Sequence, residues 1–421
     1  MITFMDIAIW TTYIVSLYFT IFWFLVFLDG GAPDLKKKKI KAFPLVTIAI
    51  PVWNEEKTIG ETLKSLLMLD YPKEKLEILI VNDASTDKTK EIVESIIKKN
   101  PDYDIKLVNN KEGGRGKAYP MNQMLDMAKG EYFVNFDADS KLTDKKTLKK
   151  LLNKFTTEDV GAVLPCMKVW SPQSFWEKVQ HYEFLMYMFY KRLFGKLDCV
   201  HVCPGPFSVY NTEIIRKIGG FDTKNITEDM ELTFRLQKFG YKVIQALNPI
   251  VYTKMADTLK GVRRQRNRWF KGTILTLIKH RDMCLNRKYG DFGMVMYPMV
   301  ALSCVVATVM LVATAYLWLK PNVLFMRDMY FVGFDFMTLL KHLTFNFSFY
   351  DLEIGTILTA VIILGVTFLF IIKALQHIAG EKLLSKGTIP FGFFLFLYFL
   401  VIAFIWLEVT VQLLRGKVQK W

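Results

Sequence analysis

Four stretches of the chain are apolar from end to end, while the rest alternates with the short periods of strands and helices. Residues 7–28 run for 22 positions without a charge, residues 294–319 for 26 and residues 354–372 for 19. Residues 389–414 run for a further 26 with Glu408 as their single charge. A 22-residue helix is about 33 Å long, enough to cross the hydrocarbon core of a bilayer. One buried helix of a soluble protein could be as apolar, but four such runs without periodicity point to lipid. Residues 7–28 read as an anchor and not a signal peptide, because no Lys or Arg precedes them and no small-residue cleavage site follows. Four spans are expected.

Between the first two runs the pattern changes. Apolar segments at 45–50, 76–81, 105–108 and 131–136 read as strands, with helical periodicity over 55–69, 88–99 and 117–128 between them. Strands alternating with helices predict an α/β domain on a mostly parallel sheet covered on both faces. Such sheets bind ligands beyond the carboxyl ends of their strands. The expected organisation is an anchor over 1–35, a globular domain over 36–272 and a membrane region over 273–421 with about three spans.

Composition agrees with a chain divided between lipid and water. Of 421 residues, 52% are hydrophobic and 23% charged, and the four runs hold only one of those charges. A disordered chain is excluded by the apolar content. The net charge of +15 calls for an anionic partner. Part of it, Lys36 to Lys39 and Lys41, follows the first run and places the globular domain in the cytosol. Residues 320–353 suit an outside loop and 373–388 an inside one. Arg415, Lys417 and Lys420 break this pattern unless a further crossing lies within 325–350. The five cysteines suggest reduced thiols, and Cys199, His201 and Cys203 match no common zinc spacing.

The candidate chemistry sits where an α/β sheet would place it. Pro51 to Glu55 follow the first strand, Asn82-Asp83-Ala84-Ser85 the second and Asp137-Ala138-Asp139 the fourth. Asp137 and Asp139, two apart in extended backbone, point to one side and repel unless a cation lies between them. Mg²⁺ or Mn²⁺ prefers such oxygen ligands, although Asp also favours plain turns. Gly113-Gly114-Arg115-Gly116-Lys117 opens a helix, where backbone N–H groups could hold phosphate or merely form a basic turn. Thr227-Glu228-Asp229 precedes a helix over 230–239, whose dipole favours acids in its first turn. Residues 263–271 hold five cations and no acid, which also suits a membrane surface. Glu408 within a span is a functional candidate or a snorkelling residue.

In this order, the NDAS, DAD, TED and QRNRW segments resemble the family-2 membrane glycosyltransferases, which include the synthases of hyaluronan, chitin oligomers, cellulose and poly-N-acetylglucosamine. The stretch ITEDMELTFRLQKFGYKV and the later DTLKGVRRQRNRW are most similar to poly-N-acetylglucosamine synthases. The resemblance covers residues 44–271. It implies an α/β GT-A nucleotide-sugar domain inserted between transmembrane helices, in a multi-pass cell-membrane protein with a cytosolic catalytic domain. It also implies inverting, Mg²⁺- or Mn²⁺-dependent transfer from a UDP-sugar, with UDP-N-acetylglucosamine expected, to a growing polysaccharide extruded through the spans.

By their places in the motifs, Asp83 would contact uracil and ribose with Pro51 and Glu55 nearby. Asp137 would contact the nucleotide and Asp139 the metal, while Lys117 corresponds to a basic residue near the diphosphate. Asp229 would be the catalytic base, with Glu228 beside it, and Gln265, Arg268 and Trp269 match Q-x-x-R-W. These roles suit the chemistry. Inverting transfer needs a base at the acceptor hydroxyl, and a departing diphosphate needs cations.

A helix near 173–196 carries Phe175, Val179, Tyr182, Met186, Phe189 and Leu193 on one stripe, which predicts an amphipathic helix at the membrane interface or one packed on the domain. After residue 291 only apolar runs and connections follow, so no soluble regulatory domain is expected. The partners implied are a UDP-sugar, a polysaccharide and the bilayer, with no nucleic acid and any accessory subunit left open. Two alternatives remain: single-sugar transfer to a lipid phosphate carrier, and a catalytically dead membrane scaffold.

Overall fold

The computed structural model of the protein describes residues 4–29, 43–335, 337, 354–376 and 380–416. The Lys36–Lys41 cluster, Lys417 and Lys420 lie outside them, as does most of 336–353. After helix α1 (Phe4–Leu28) come β1 (Val46–Val52), α2 (Ile59–Leu67), β2 (Leu76–Asn82), α3 (Thr89–Lys99), β3 (Asp104–Asn109), α4 (Ala118–Met127) and β4 (Tyr132–Asn135). Each predicted strand and helix is present within a few residues. β1 and β2 are buried almost throughout, as strands covered on both faces must be.

The second half is not the continued parallel repeat that the pattern suggested. It runs β5 (Ser140–Leu142), α5 (Thr147–Leu152), β6 (Val160–Val169), α6 (Phe175–Lys196), β7 (Ser208–Asn211), α7 (Thr212–Lys217), α8 (Glu228–Lys238), β8 (Lys242–Thr253) and α9 (Leu259–Lys279). The eight strands are ordered β3-β2-β1-β4-β7-β6-β8-β5. The first four are mutually parallel, whereas β7 is antiparallel to both β4 and β6, and β5 to β8. The strand order reverses beside β1 and β4, the crevice where such sheets take ligands. Glu55, Asp83 and Asp137 stand beyond the ends of β1, β2 and β4.

Helix α6 is the corner-post between the sheet and the apolar helices. A capping box starts it: the Glu177 amide donates to Ser174 Oγ, and the Ser174 amide to Glu177 Oε2. The one-sided stripe expected from the sequence is in fact covered on both sides. His181 and Lys191, which lie off that stripe, are 2% and 0% exposed. The Phe189 ring meets that of Phe27 of α1 at 5.9 Å, tilted by 50°, and the core beneath it is continuous with the sheet. The helix is packed on more than its apolar stripe.

The remaining helices are α10 (Tyr297–Phe331), α11 (Ile354–Ala374), α12 (Thr388–Phe396) and α13 (Tyr398–Leu414). Among the described residues three helical stretches are long and apolar enough to cross a membrane: Trp10–Leu28, Phe292–Phe331 and Ile357–Ala374. α10 outruns the predicted span by a dozen residues, past Pro321. The fourth apolar run is not one helix. It divides at Leu397 into α12 and α13, which meet at 50°.

Candidate active site

Three loops beyond the sheet build one side of the site. Asp83 is buried and fixed by two donors, Asn110 Nδ2 at 3.0 Å and the Gly114 amide at 3.2 Å. At least one amide of the glycine-rich turn is thus taken by a carboxylate of the protein itself. Pro51, the last residue but one of β1, lies opposite Val81, and Glu55 accepts from Thr58 Oγ1. Burial raises the Glu55 pKa against that hydrogen bond.

The Asp-Ala-Asp segment follows β4. Asp137 is held by an ion pair with Lys117 Nζ, and Gly205 lies against its carboxylate so closely that any Cβ would stand 2.2 Å from Oδ2. Asp139 accepts from Ser140 Oγ at 3.2 Å. Its pKa is pushed up to about 7 by burial, by Asp137 and by Glu55. Burial alone would lower the Lys117 pKa, but Asp137 and Glu228 raise it, so its ammonium is permanent.

The other side comes from α8 and α9. Gly272 of α9 touches Thr227, the residue before α8; a Cβ there would stand 2.1 Å from Thr227 Oγ1. This contact brings the Thr-Glu-Asp turn against the Gln265–Trp269 helix. Glu228 is 2% exposed, lies 3.6 Å from Lys117 Nζ, and leaves Oε2 without a hydrogen-bond partner. Burial raises its pKa; Lys117 lowers it, Asp229 opposes, and Arg268 adds to the lowering. Asp229 is more open, with Oδ1 accepting from the Met230 amide at 2.8 Å. Gly272→Ala is therefore expected to separate the two segments, costing about 1–3 kcal/mol as overpacking does. A thermal melt and an activity assay on the variant check this, and unchanged values in both would refute it.

Two of the five cations in the basic run, Arg263 and Arg266, pair with acids on neighbouring elements. Arg266 is 1% exposed and pairs with Glu183 of α6 at 2.5 Å, lies 4.1 Å from the Trp269 ring and donates to Gln265 at 2.9 Å. Arg263 holds Glu408 of α13 through two bonds of 2.7 and 2.9 Å. Glu408 is thus an ion-pair partner, neither snorkelling nor alone. Arg268 lies close enough to Glu228 to influence it.

Sequence reasoning missed α6 as a wall of the site. Glu183, Tyr187 and Lys191 recur at four-residue spacing on it. Lys191 is fully buried, donates to Val202 O at 2.9 Å and has its pKa lowered to about 8 by burial. That polar stripe was legible in the periodicity but was masked by the stronger apolar one. Cys199, by contrast, is buried and donates to Leu197 O at 3.2 Å, as a packed thiol does.

The fit to a divalent cation is partial. Among the described residues no group of three or more His, Cys, Asp or Glu could hold a metal. Asp139 nevertheless stands against the like charges of Asp137 and Glu55, and a cation completed by ligand oxygens would relieve that repulsion. A proton and a cation then compete for Asp139. Mn²⁺ affinity in the presence of UDP is expected to rise about tenfold per unit toward about pH 7 and to level off above it. Titration by electron paramagnetic resonance checks this, and an affinity flat across that range would disconnect Asp139 from the ion.

Residues 47–219 match the family model described as Glycosyl transferase family 2. A probable glycosyltransferase of Bacillus subtilis is 31% identical over 250 residues, which cover 58% of this chain and 58% of that protein. A poly-beta-1,6-N-acetyl-D-glucosamine synthase of Staphylococcus epidermidis is 28% identical over 257 residues, 61% of each chain. A beta-monoglucosyldiacylglycerol synthase of Nostoc is 29% identical over 262 residues, 61% of this chain and 55% of that one. The chain thus spans between about half and two thirds of the length of these relatives. The fold also matches that of a mannosyltransferase from Pyrobaculum calidifontis, solved with GDP-Man and Mn²⁺, with a TM-score of 0.68 over 98% of this chain and 99% of that one at 20% identity.

Proposed function

We propose, from the family-2 glycosyltransferase domain that residues 47–219 form, that the chain is a membrane-embedded, inverting transferase elongating a β-linked polysaccharide from a UDP-sugar, with UDP-N-acetylglucosamine as donor. The observation that carries this reading is the meeting of two halves. Asp83, Asp137 and Asp139 follow the strand ends, and Lys117 at the start of α4 reaches from Asp137 to Glu228 of the Thr-Glu-Asp turn, which packs through Thr227 on Gly272 of α9, the helix that carries Gln265, Arg268 and Trp269. The similarity to a poly-beta-1,6-N-acetyl-D-glucosamine synthase supports the choice of sugar.

In this reading Asp83 and Glu55 receive the nucleoside, while Asp137 and Lys117 border the diphosphate. Asp139 would hold Mg²⁺ or Mn²⁺, which when bound supplies positive charge to the leaving group. Asp229, the more open of the two adjacent acids, takes the proton from the acceptor hydroxyl. Lys117 and Arg268 offset the charge that develops on the departing diphosphate. Trp269, held between the Arg266 guanidinium and Phe184, offers a flat face to an acceptor sugar. The catalytic domain would be cytosolic, where UDP-sugars are supplied, and the product would leave through the crossing helices.

A second reading, transfer of one sugar to a lipid, is favoured by the similarity to a beta-monoglucosyldiacylglycerol synthase. The two differ in the product. Membranes containing the enzyme, given a panel of UDP-sugars with Mg²⁺ or Mn²⁺, should yield water-soluble chains of many sugars from one donor. A product confined to organic extracts and bearing one sugar would replace the first reading with the second. No transfer from any donor would support a dead scaffold.

A further inference from the structure

Each of the three long apolar helices touches the globular domain at one end only. At the end of α1, Trp23 meets Phe194 at 4.9 Å and Lys196 Nζ donates to Val26 O at 2.8 Å, while Ile7 and Ile14 at the start are exposed. At the start of α10, Tyr297 OH donates to Leu277 O at 2.5 Å, and its far end exposes Tyr330 and Phe331. α11 is reversed: Ile354 is exposed and Phe370 packs on Phe189 at 5.2 Å.

The bent pair α12 and α13 behaves differently, touching the domain along its whole length. Before it, Glu381 meets His181 at 3.2 Å. Within α12, Phe391 packs on Tyr182 at 5.2 Å, and Tyr398 OH at the start of α13 donates to Glu183 at 2.9 Å. Further on, Trp406 stacks on Phe270 at 4.0 Å and 7°. At the end Glu408 pairs with Arg263, and Gln412 accepts from Asn267 Nδ2 at 3.2 Å. Helices of nine and seventeen residues measure about 13 and 25 Å, each short of a hydrocarbon core of about 30 Å. A crossing would also carry Glu408 a bilayer's thickness from the domain that holds Phe391.

We infer that α12 and α13 do not cross the membrane but lie along the domain, with their outer side seated in the headgroup and acyl boundary of the leaflet facing it. The partner is a lipid surface. Ile389, Phe396, Phe404 and Leu414 are exposed on the pair, at 76%, 61%, 59% and 83%, and α13 packs beside the crossing helix α10. Their aromatic and aliphatic groups suit the depth at which such helices lie. Three crossings then leave Arg415, Lys417 and Lys420 on the side of the globular domain, so the charge rule is met without a further crossing. That side is the cytosol, a point that rests on the proposed function.

The test uses the full-length enzyme in cells and a maleimide that cannot cross membranes. Cys284, exposed in the domain, reports one side. Arg415→Cys and Val332→Cys, each in a Cys284→Ser background, report the end of α13 and the far end of α10. Cys284 and Arg415→Cys should react only after permeabilisation, and Val332→Cys in intact cells. Reaction of Arg415→Cys in intact cells with Cys284 protected would overturn the inference and leave the proposed function standing. Protection of Val332→Cys would also overturn it. Reaction of Cys284 in intact cells would instead remove the cytosolic placement. Phe404→Trp should be quenched best by labels near the lipid headgroups, and stronger quenching from the bilayer centre would count against an interfacial pair.

Discussion

Asp229→Asn is expected to lower the rate of sugar transfer by about 10²–10⁴-fold, the range that a positioned general base supplies. The amide keeps the size of the side chain and can still accept from the Met230 amide, so the fold and donor binding should persist. Glu228→Gln is the informative comparison. Glu228 is shut from solvent between Lys117 and the start of α8, and is the less accessible of the two acids. Its loss is expected to act on donor KM more than on turnover. Single-turnover rates with saturating UDP-sugar, beside donor Kd, separate the two. An Asp229→Asn enzyme that transfers at the wild-type rate would remove Asp229 as the base.

Glu231→Ala is expected to lower stability by about 3–5 kcal/mol, the usual consequence of stripping one partner from a buried ionic network. Glu231 is fully buried on α8 and accepts from Arg235 Nε at 2.8 Å, from Lys279 at 2.5 Å and near His280 at 3.2 Å. Arg235 in turn donates to Ile218 O and Gly220 O, so the same carboxylate fixes the loop ahead of the Thr227–Asp229 turn. Burial would raise the Glu231 pKa, but hydrogen bonds from His280 and Arg235 overcome it and hold the carboxyl at about 2, against an ordinary 4.5. The sign follows from that depression. The unfolded chain binds the proton more tightly, so this stabilisation is complete above about pH 4.5 and is lost as pH falls toward about 2. Thermal melts of detergent-solubilised wild type and Glu231→Ala should converge as the pH falls across this window. A variant that melts with the wild type at pH 7 would show that the network contributes little.

The sequence was informative where chemistry and periodicity are local. β1, β2 and β4 announce themselves as short apolar runs, and each is followed by its polar or acidic residues because ligand-facing loops begin where strands end. Asp83, Asp137, Asp139 and Asp229 were therefore legible as candidates. The basic run was misleading. Arg263 and Arg266 look alike in sequence, but Glu408 and Glu183, 145 and 83 positions away, bind them. No local pattern carries that information. The same holds for α6, whose apolar stripe is real but whose other side is also covered once the sheet and α11 close over it.

Local composition by itself determined that this chain would divide into apolar helices and an α/β domain, because burying apolar surface and alternating backbone periods are encoded residue by residue. It determined the acidic strand ends for the same reason. Only the tertiary structure decided that the last apolar run bends at Leu397 and lies on the domain. Hydropathy reports that 26 residues avoid water, and a bilayer core, an interface and a protein surface all satisfy that demand. What distinguishes them is where Arg263, Glu183 and Tyr182 stand in space, and that is set by the packing of α6 and α9 against the sheet.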